Sequence, residues 1–325
     1  MKDSAKDFLP IPINEFISGV NLSADVHIRI GEDNFVLVGK AGTRANVEQL
    51  KNYKNYEVNY LWVHKKDYQK LAVQSITLAG IALSKKDLSQ GLKTSVVSSA
   101  ARSMFRQVEH LGMDREAYSN AKQITEVVVV LAETHDTMAA LMKSLASFSE
   151  PLVAHSVAVS MISVMIGQHM GFEKKATLEK LAMGALLHDI GLKSVPLELV
   201  NKPLASMTAQ EVALYETHAY KGMQMLLSLG IVPDDVVSIV YEHHENSIGQ
   251  GFPQRLRDVK MHPLAKIVSL ANAYCNLVLP NVNCPTPKNP REALMYLEHT
   301  LGIPFNREAF RALKRLVEKE SKAAA

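Results

Sequence analysis

Cysteine is nearly absent: Cys275 and Cys284 are the only two in 325 residues. Two thiols make neither a disulfide framework nor a four-thiolate metal site, and the scarcity fits a reducing compartment, so a cytoplasmic setting is expected. Surplus charge is missing too. The 36 Lys and Arg stand against 33 Asp and Glu, for a net +3, which argues against a dedicated coat for a nucleic-acid polymer. No run approaches about 18 uncharged apolar residues, and the opening MKDSAKDFLP has no apolar h-region, so neither a membrane span nor a standard signal is expected. Apolar types at 47% and charged types at 21% are nevertheless a globular balance. The length is comfortable for two domains. What is plentiful is histidine: seven of the twelve fall between His155 and His262, about a third of the chain.

Residues 1–75 read as a small α/β module. IPINEF and VHIRIGEDNFVLVGKAG alternate apolar and polar residues around Gly-Glu-Asp-Asn, as strands joined by a turn would. A short helical piece, VEQLKNY, and a further strand-like run, VNYLWVH, follow, with Trp62 expected in a core or an interface. Residues 76–117 read as a helical connector, and 118–325 as an all-helical domain. Tyr118 to Ser147 contains no Gly or Pro, and a stripe from Ile124 through Val127, Val128, Leu131, Met138, Leu141 and Met142 to Leu145 predicts one long helix. Pro151, the Thr208-Ala-Gln-Glu211 capping box, Pro233, Pro263, Pro290 and Asn306 mark further helix starts, and Gly171 a stop. The expected fold class is α+β: the small module followed by an all-α bundle.

Within the helical part, candidate ligands gather at helix ends. His155 lies near one start, His188-Asp189 closes a helix before Gly191, His218 lies midway along another, and His243-His244-Glu245 closes a third. Neighbours in a helix point about 100° apart and converge on one site only at an end. Imidazole with carboxylate suits iron, manganese or zinc, and the two oxygens of Asp189 are able to bridge two ions. His169, His262 and His299 are expected outside the cluster, and Met161, Met165, Met170 and Met183 in the core.

These residues resemble the HD-GYP family, a branch of the HD-domain metal-dependent phosphohydrolases. His155-Ser156, the run His188-Asp-Ile-Gly191, His218 with Gly222, and HHENSIGQGFP from His243 to Pro253 carry the likeness, closest over 155–275. The resemblance implies a helical bundle holding two divalent ions, iron first and manganese or zinc as alternatives, that hydrolyses cyclic di-GMP. By position, the ligands are His155, His188, Asp189, His218, His243 and His244. Asp189 bridges the ions and is the catalytic centre together with Lys193. Gly249, Gly251, Phe252, Pro253, Arg255 and Lys266 then fall in the substrate-binding region, and a diguanylate cyclase domain is a possible partner of the Gly-Phe-Pro loop.

Several positions depart from the family pattern. Phe252 replaces the signature Tyr and lacks its hydroxyl. Leu192 stands where a Lys follows His-Asp-Ile-Gly, with Lys193 one position later. Asn272 replaces the aspartate of the second metal, offering a carbonyl without charge. Lys266 replaces an Arg and lacks its bidentate fork. The Arg-Pro-Tyr expected after this helix is absent from VLPNVNCPTPKN, and Pro151 stands where a third ion's glutamate would, Glu150 being one residue off, so two ions are expected. Lys193, Arg255, Arg257, Lys260 and Lys266 are the basic residues expected near the pocket. Three readings remain open: a two-metal phosphodiesterase with reduced activity, a metal-bearing receptor or scaffold for a cyclic dinucleotide, and an HD phosphohydrolase acting on another nucleotide.

Overall fold

The computed structural model describes residues 5–53, 58–134, 138–148, 150–301 and 304–323. Four strands, β1 (Phe8–Pro12), β2 (Val26–Gly31), β3 (Asn34–Gly39) and β4 (Tyr60–His64), make an antiparallel sheet in the order β1-β4-β2-β3. Alternation does what the sequence pattern implies. Leu61 and Val63 of β4 and Val26 and Ile28 of β2 are buried on one face. The neighbours in between point the other way. Trp62 lies on that second face, half-buried, edge-on to Phe35 with the Arg29 guanidinium 5.3 Å above its ring. It is therefore a cross-strand aromatic contact and not part of the module's apolar core. Helix α1 (Val47–Lys51), capped by Asn46, closes the module.

Helix α2 (Tyr68–Ser84) runs unbroken through the boundary expected at 75. Tyr68 and Ala72 belong to the core beneath the sheet, while Ile76 and Ala79 belong to the core of the bundle. One helix thus serves both cores from successive turns. Next come α3 (Gln90–Leu111), α4 (Arg115–Thr134) and α5 (Met138–Phe148). The single helix expected over 118–147 is described as α4 and α5, and residues 135–137 between them lie outside the described residues. Its stripe is buried at Ile124, Val128, Leu131, Leu141, Met142 and Leu145, with Val127 packed alongside.

The bundle continues through α6 (Pro151–His169), α7 (Lys175–Leu187), α8 (Leu197–Val200), α9 (Ala209–Ser228), α10 (Asp234–Glu242), α11 (Pro263–Val278), α12 (Pro290–Met295) and α13 (Arg307–Ala323). Proline opens α6, α11 and α12, and the capping box at Thr208 and Glu211 forms as expected. Helix α6 corrects one expectation. It is long and apolar enough to cross a bilayer, with a mean hydropathy of 1.4, yet 78% of that stretch is buried inside the protein. It packs against α4, α5, α7, α11 and α13, so no exposed face distinguishes it, and the burial of Met161, Met165 and Met183 follows.

Candidate metal centre

The expected ligands arrive on five elements. His155 lies in the second turn of α6, His188 follows the last residue of α7, and His218 sits midway along α9. His243 and His244 follow α10, and Asn272 sits midway along α11. The corner after α7 is held by backbone contact. A Cβ at Gly191 would lie 1.9 Å from the His218 carbonyl oxygen and 2.6 Å from the Gly222 nitrogen, so only glycine lets this turn rest on α9. That contact places Asp189 beside His218.

Asp189 stands between two groups of candidate ligands. Its Oδ2 is 3.1 Å from His188 Nε2 and 3.9 Å from His155 Nε2. Its Oδ1 is 3.4 Å from His218 Nε2 and 3.5 Å from His243 Nε2. Candidate donor atoms of His155, His188 and Asp189 lie within 4.8 Å of one another, as do those of Asp189, His218, His243 and His244. The Asn272 Oδ1 is 3.0 Å from His155 Nε2 and accepts from Asn276 Nδ2 at 3.1 Å. Asn276 thereby holds the amide with its oxygen toward the cluster, a contact that nothing in the sequence had singled out.

The helices set the tautomers. His188, His218 and His243 each donate from Nδ1 to the carbonyl three residues earlier, Ala185, Tyr215 and Val240, at 2.7 to 2.8 Å. A carbonyl only accepts, so Nδ1 carries the proton and a neutral ring presents a lone pair at Nε2. Two such atoms, of His218 and His243, face each other at 3.2 Å, and the buried Asp189 Oδ1 has no hydrogen-bond partner. Lone pairs crowded around a buried carboxylate repel unless a cation lies among them, so the donor set fits divalent metal. Protonation agrees. Burial pushes His155 and His243 down to about 4 and lowers His218 and His244 as well. Ligation requires neutral imidazole. His188 runs the other way: burial opposes its charge, but the adjacent Asp189 carboxylate raises it. Asp189 itself is held well below its ordinary value, burial being outweighed chiefly by His188.

The Gly-Phe-Pro loop braces this centre. Phe252 stacks on His244 with ring centroids 4.3 Å apart, and its backbone N–H donates to the His244 carbonyl. A Cβ at Gly251 would lie 2.3 Å from that same carbonyl. Buried Glu245 accepts from the backbone N–H groups of Gln254 and Leu256 at 2.6 and 2.8 Å, tying the loop down. Its ring turned onto His244, Phe252 is half-buried, and Pro253 and Arg255 are exposed.

Two adjoining cavities meet at the centre, with Leu152, Asp189, Leu192 and Val200 lining both. One, of about 520 Å³, reaches His155, His244, Asn272, Asn276, Tyr215 and Lys202. The other, of about 500 Å³, lies against α3 and reaches Lys193, Arg102, Arg106 and Glu150. Of the basic residues expected near the pocket, Lys193 lines a cavity, whereas Arg255, Arg257, Lys260 and Lys266 do not. Lys266 is bound to Asp258 at 3.2 Å, which also accepts from Ser247 and Asn306, a knot that anchors the loop. Gly249, Gly251, Phe252 and Pro253 line neither cavity; Gly251 and Phe252 rest against His244, and Gly249 packs against Arg255 and Arg257. His169 bonds the Met165 carbonyl, and His262 caps α11 and faces Asp235, both outside the cluster. Arg102 and Arg106 escaped the sequence reading because they lie about fifty residues before His155 and carry no motif.

A His/Asp centre inside a helical bundle defines a metal-dependent HD-type protein, and comparison with known proteins agrees. Residues 139–303 match the family model described as HD domain. The chain belongs to the HD domain family. It is similar to the cyclic di-GMP phosphodiesterase PA4108 of Pseudomonas aeruginosa, 27% identical over 196 residues, which are 60% of this chain and 46% of that protein. It is also similar to the cyclic di-GMP phosphodiesterase PdeB of Borreliella burgdorferi, 28% identical over 130 residues, 39% of this chain and 33% of that protein. The chain thus matches less than half the length of these curated relatives. Its fold is that of Bd1817, an HDG"Y"P protein from Bdellovibrio bacteriovorus, with a TM-score of 0.70 and 22% identity over 96% of this chain and 100% of that one.

Proposed function

We propose that the chain is a two-metal phosphodiesterase that opens cyclic di-GMP to its linear form. The observation that carries this reading is the division of Asp189, one oxygen toward His188 and His155 and the other toward His218 and His243. His155, His188 and Asp189 would hold one ion, with Asn272 completing the set, and Asp189, His218, His243 and His244 the other. Iron is the first candidate, with manganese and zinc next, since imidazole and carboxylate suit all three. A bound pair there would supply acidified water and charge neutralisation at the scissile phosphate.

The residues of the chain do the rest. The helix carbonyls behind His188, His218 and His243 keep each Nε2 lone pair aimed inward. Asn276 keeps the Asn272 oxygen facing His155. Phe252 covers His244 and shields it from water. Lys193, exposed on the wall of the α3 cavity that Asp189 also lines, offers a cation for the phosphodiester. Both cysteines are free thiols, as a cytoplasmic setting would have them.

Elemental analysis of protein prepared without oxygen, followed by turnover of cyclic di-GMP with iron or manganese, tests the reading. Two ions per chain and linear product above a metal-only control are expected. Fewer than one ion per chain would overturn it. A second reading, a metal-bearing receptor for the dinucleotide, is favoured by Asn272, because its neutral carbonyl leaves one ion with less anionic charge. Tight binding without product would select it.

A further inference from the structure

The geometry points to a guanine subsite in the α3 cavity, read by the guanidinium of Arg102 and the carboxylate of Glu150. This inference rests on the phosphodiesterase reading and says where one half of the dinucleotide goes. A cyclic dinucleotide has two equal halves joined through phosphodiesters. With one phosphodiester at Asp189, the halves extend to opposite sides, and the cavities that adjoin at Asp189 are of nearly equal volume, about 500 and 520 Å³.

The α3 cavity is suited to a base more than to a phosphate. Its cations, Arg102, Arg106 and Lys193, stand against Glu109 and Glu150, and Arg106 is already paired with Glu15, so little positive charge is left over for a phosphate. Its walls include Phe105, Val108, Met113, Val153 and Met225, apolar surface against which a flat ring loses water favourably. The polar groups come as a donor-only guanidinium beside an acceptor-only carboxylate, Arg102 Nε being 3.9 Å from Glu150 Oε1. Guanine offers the complement on adjoining edges: O6 and N7 accept from an arginine, and N1–H and the exocyclic N2–H groups donate to a carboxylate. Adenine would set its N1 lone pair against that carboxylate.

The arginines are braced from behind. Arg106 Nη1 donates to the buried carboxylate of Glu15 at 2.8 Å, and Arg102 Nη1 lies 3.9 Å from the same carboxylate. Glu15 follows β1 in the N-terminal module, so the module supports a wall of the site in the bundle.

The test uses the full-length, manganese-loaded protein with Arg102→Lys, which keeps the charge and loses the fork, and Glu150→Gln, which loses the carboxylate. Cyclic di-GMP, cyclic di-AMP and bis(p-nitrophenyl) phosphate, a diester without a base, are compared. The expected result is a fall of about tenfold in kcat/KM for cyclic di-GMP. Glu150→Gln should narrow the preference over cyclic di-AMP, and bis(p-nitrophenyl) phosphate should be cleaved as by wild type. Unchanged base preference in both variants, or an equal loss on bis(p-nitrophenyl) phosphate, overturns the subsite. If wild type cleaves no diester, the phosphodiesterase reading fails, and equilibrium binding of GMP against AMP decides the subsite alone. A GMP preference erased by Glu150→Gln sustains it, and no preference overturns it.

Discussion

On one side of Asp189, Oδ1 faces His218 and His243 with His244 in the same cluster, three imidazoles to one carboxylate oxygen. On the other side, Oδ2 faces His188 and His155, and the neutral carbonyl of Asn272 lies 3.0 Å from His155. The backbone support is alike on both sides, since His188, His218 and His243 are tied to their own helices in the same way. What differs is ligand chemistry. On the proposed two-metal reading, a divalent ion on the Asn272 side would gain one oxygen of the shared carboxylate and no third imidazole, and would be the more weakly held of the two.

Asp189→Ala attacks what the sides share and carries the largest expected effect. Both ions should leave and turnover should fall to the metal-only background, read by elemental analysis beside a product assay. One retained ion would show that a single set of histidines suffices. Next in size, His155→Ala and His218→Ala should each cost one ion, but unequally. Graded chelation of wild type should remove metal in two steps, and His155→Ala should lack the easier one. A single step in both proteins would abolish the distinction between the sides. Asn272→Asp should tighten the weaker ion by about tenfold, a ligand-level effect, and merge the two chelation steps. An unchanged weaker step would remove Asn272 from the coordination.

The smallest effect lies with Lys193, which belongs to neither side. Burial pushes its amine down to about 8 from an ordinary 10.5, against the pull of Glu109. Between those values the unfolded chain holds a proton that the folded protein has released, so folding stability rises with pH from about 8 to 10.5. In the folded protein Lys193 loses its charge around pH 8, and the affinity for an anionic dinucleotide should weaken by roughly threefold between pH 7 and pH 9. Lys193→Met should flatten that profile. An identical slope in the variant would place Lys193 away from the ligand.

Much of the centre was legible because its chemistry is local. Doublets such as His188-Asp189 and His243-His244 reach one point only at helix ends, and the glycine and proline punctuation put helix ends there. The brace on the Gly-Phe-Pro loop was hidden, since Glu245 reads as one more acid in a motif until the Gln254 and Leu256 N–H groups are seen to meet it. Lys266 reads as a phosphate contact from its position, yet Asp258, eight residues earlier, neutralises it. Arg102 and Arg106 could not be read at all: nothing local relates α3 to Asp189, and only the folding of α3 against α2, α4, α5 and α6 brings them to the cavity.

The sequence by itself determined the candidate donor types and the helix boundaries beside them, because adjacent doublets, caps and breakers act within a few residues of one another. The tertiary structure alone decided which ring shares which oxygen of Asp189, and which outside helix walls the adjoining cavity. Those outcomes depend on close approaches between distant segments. Gly191 against the backbone of α9 is the clearest case, because the space for that contact exists only once both elements are in place.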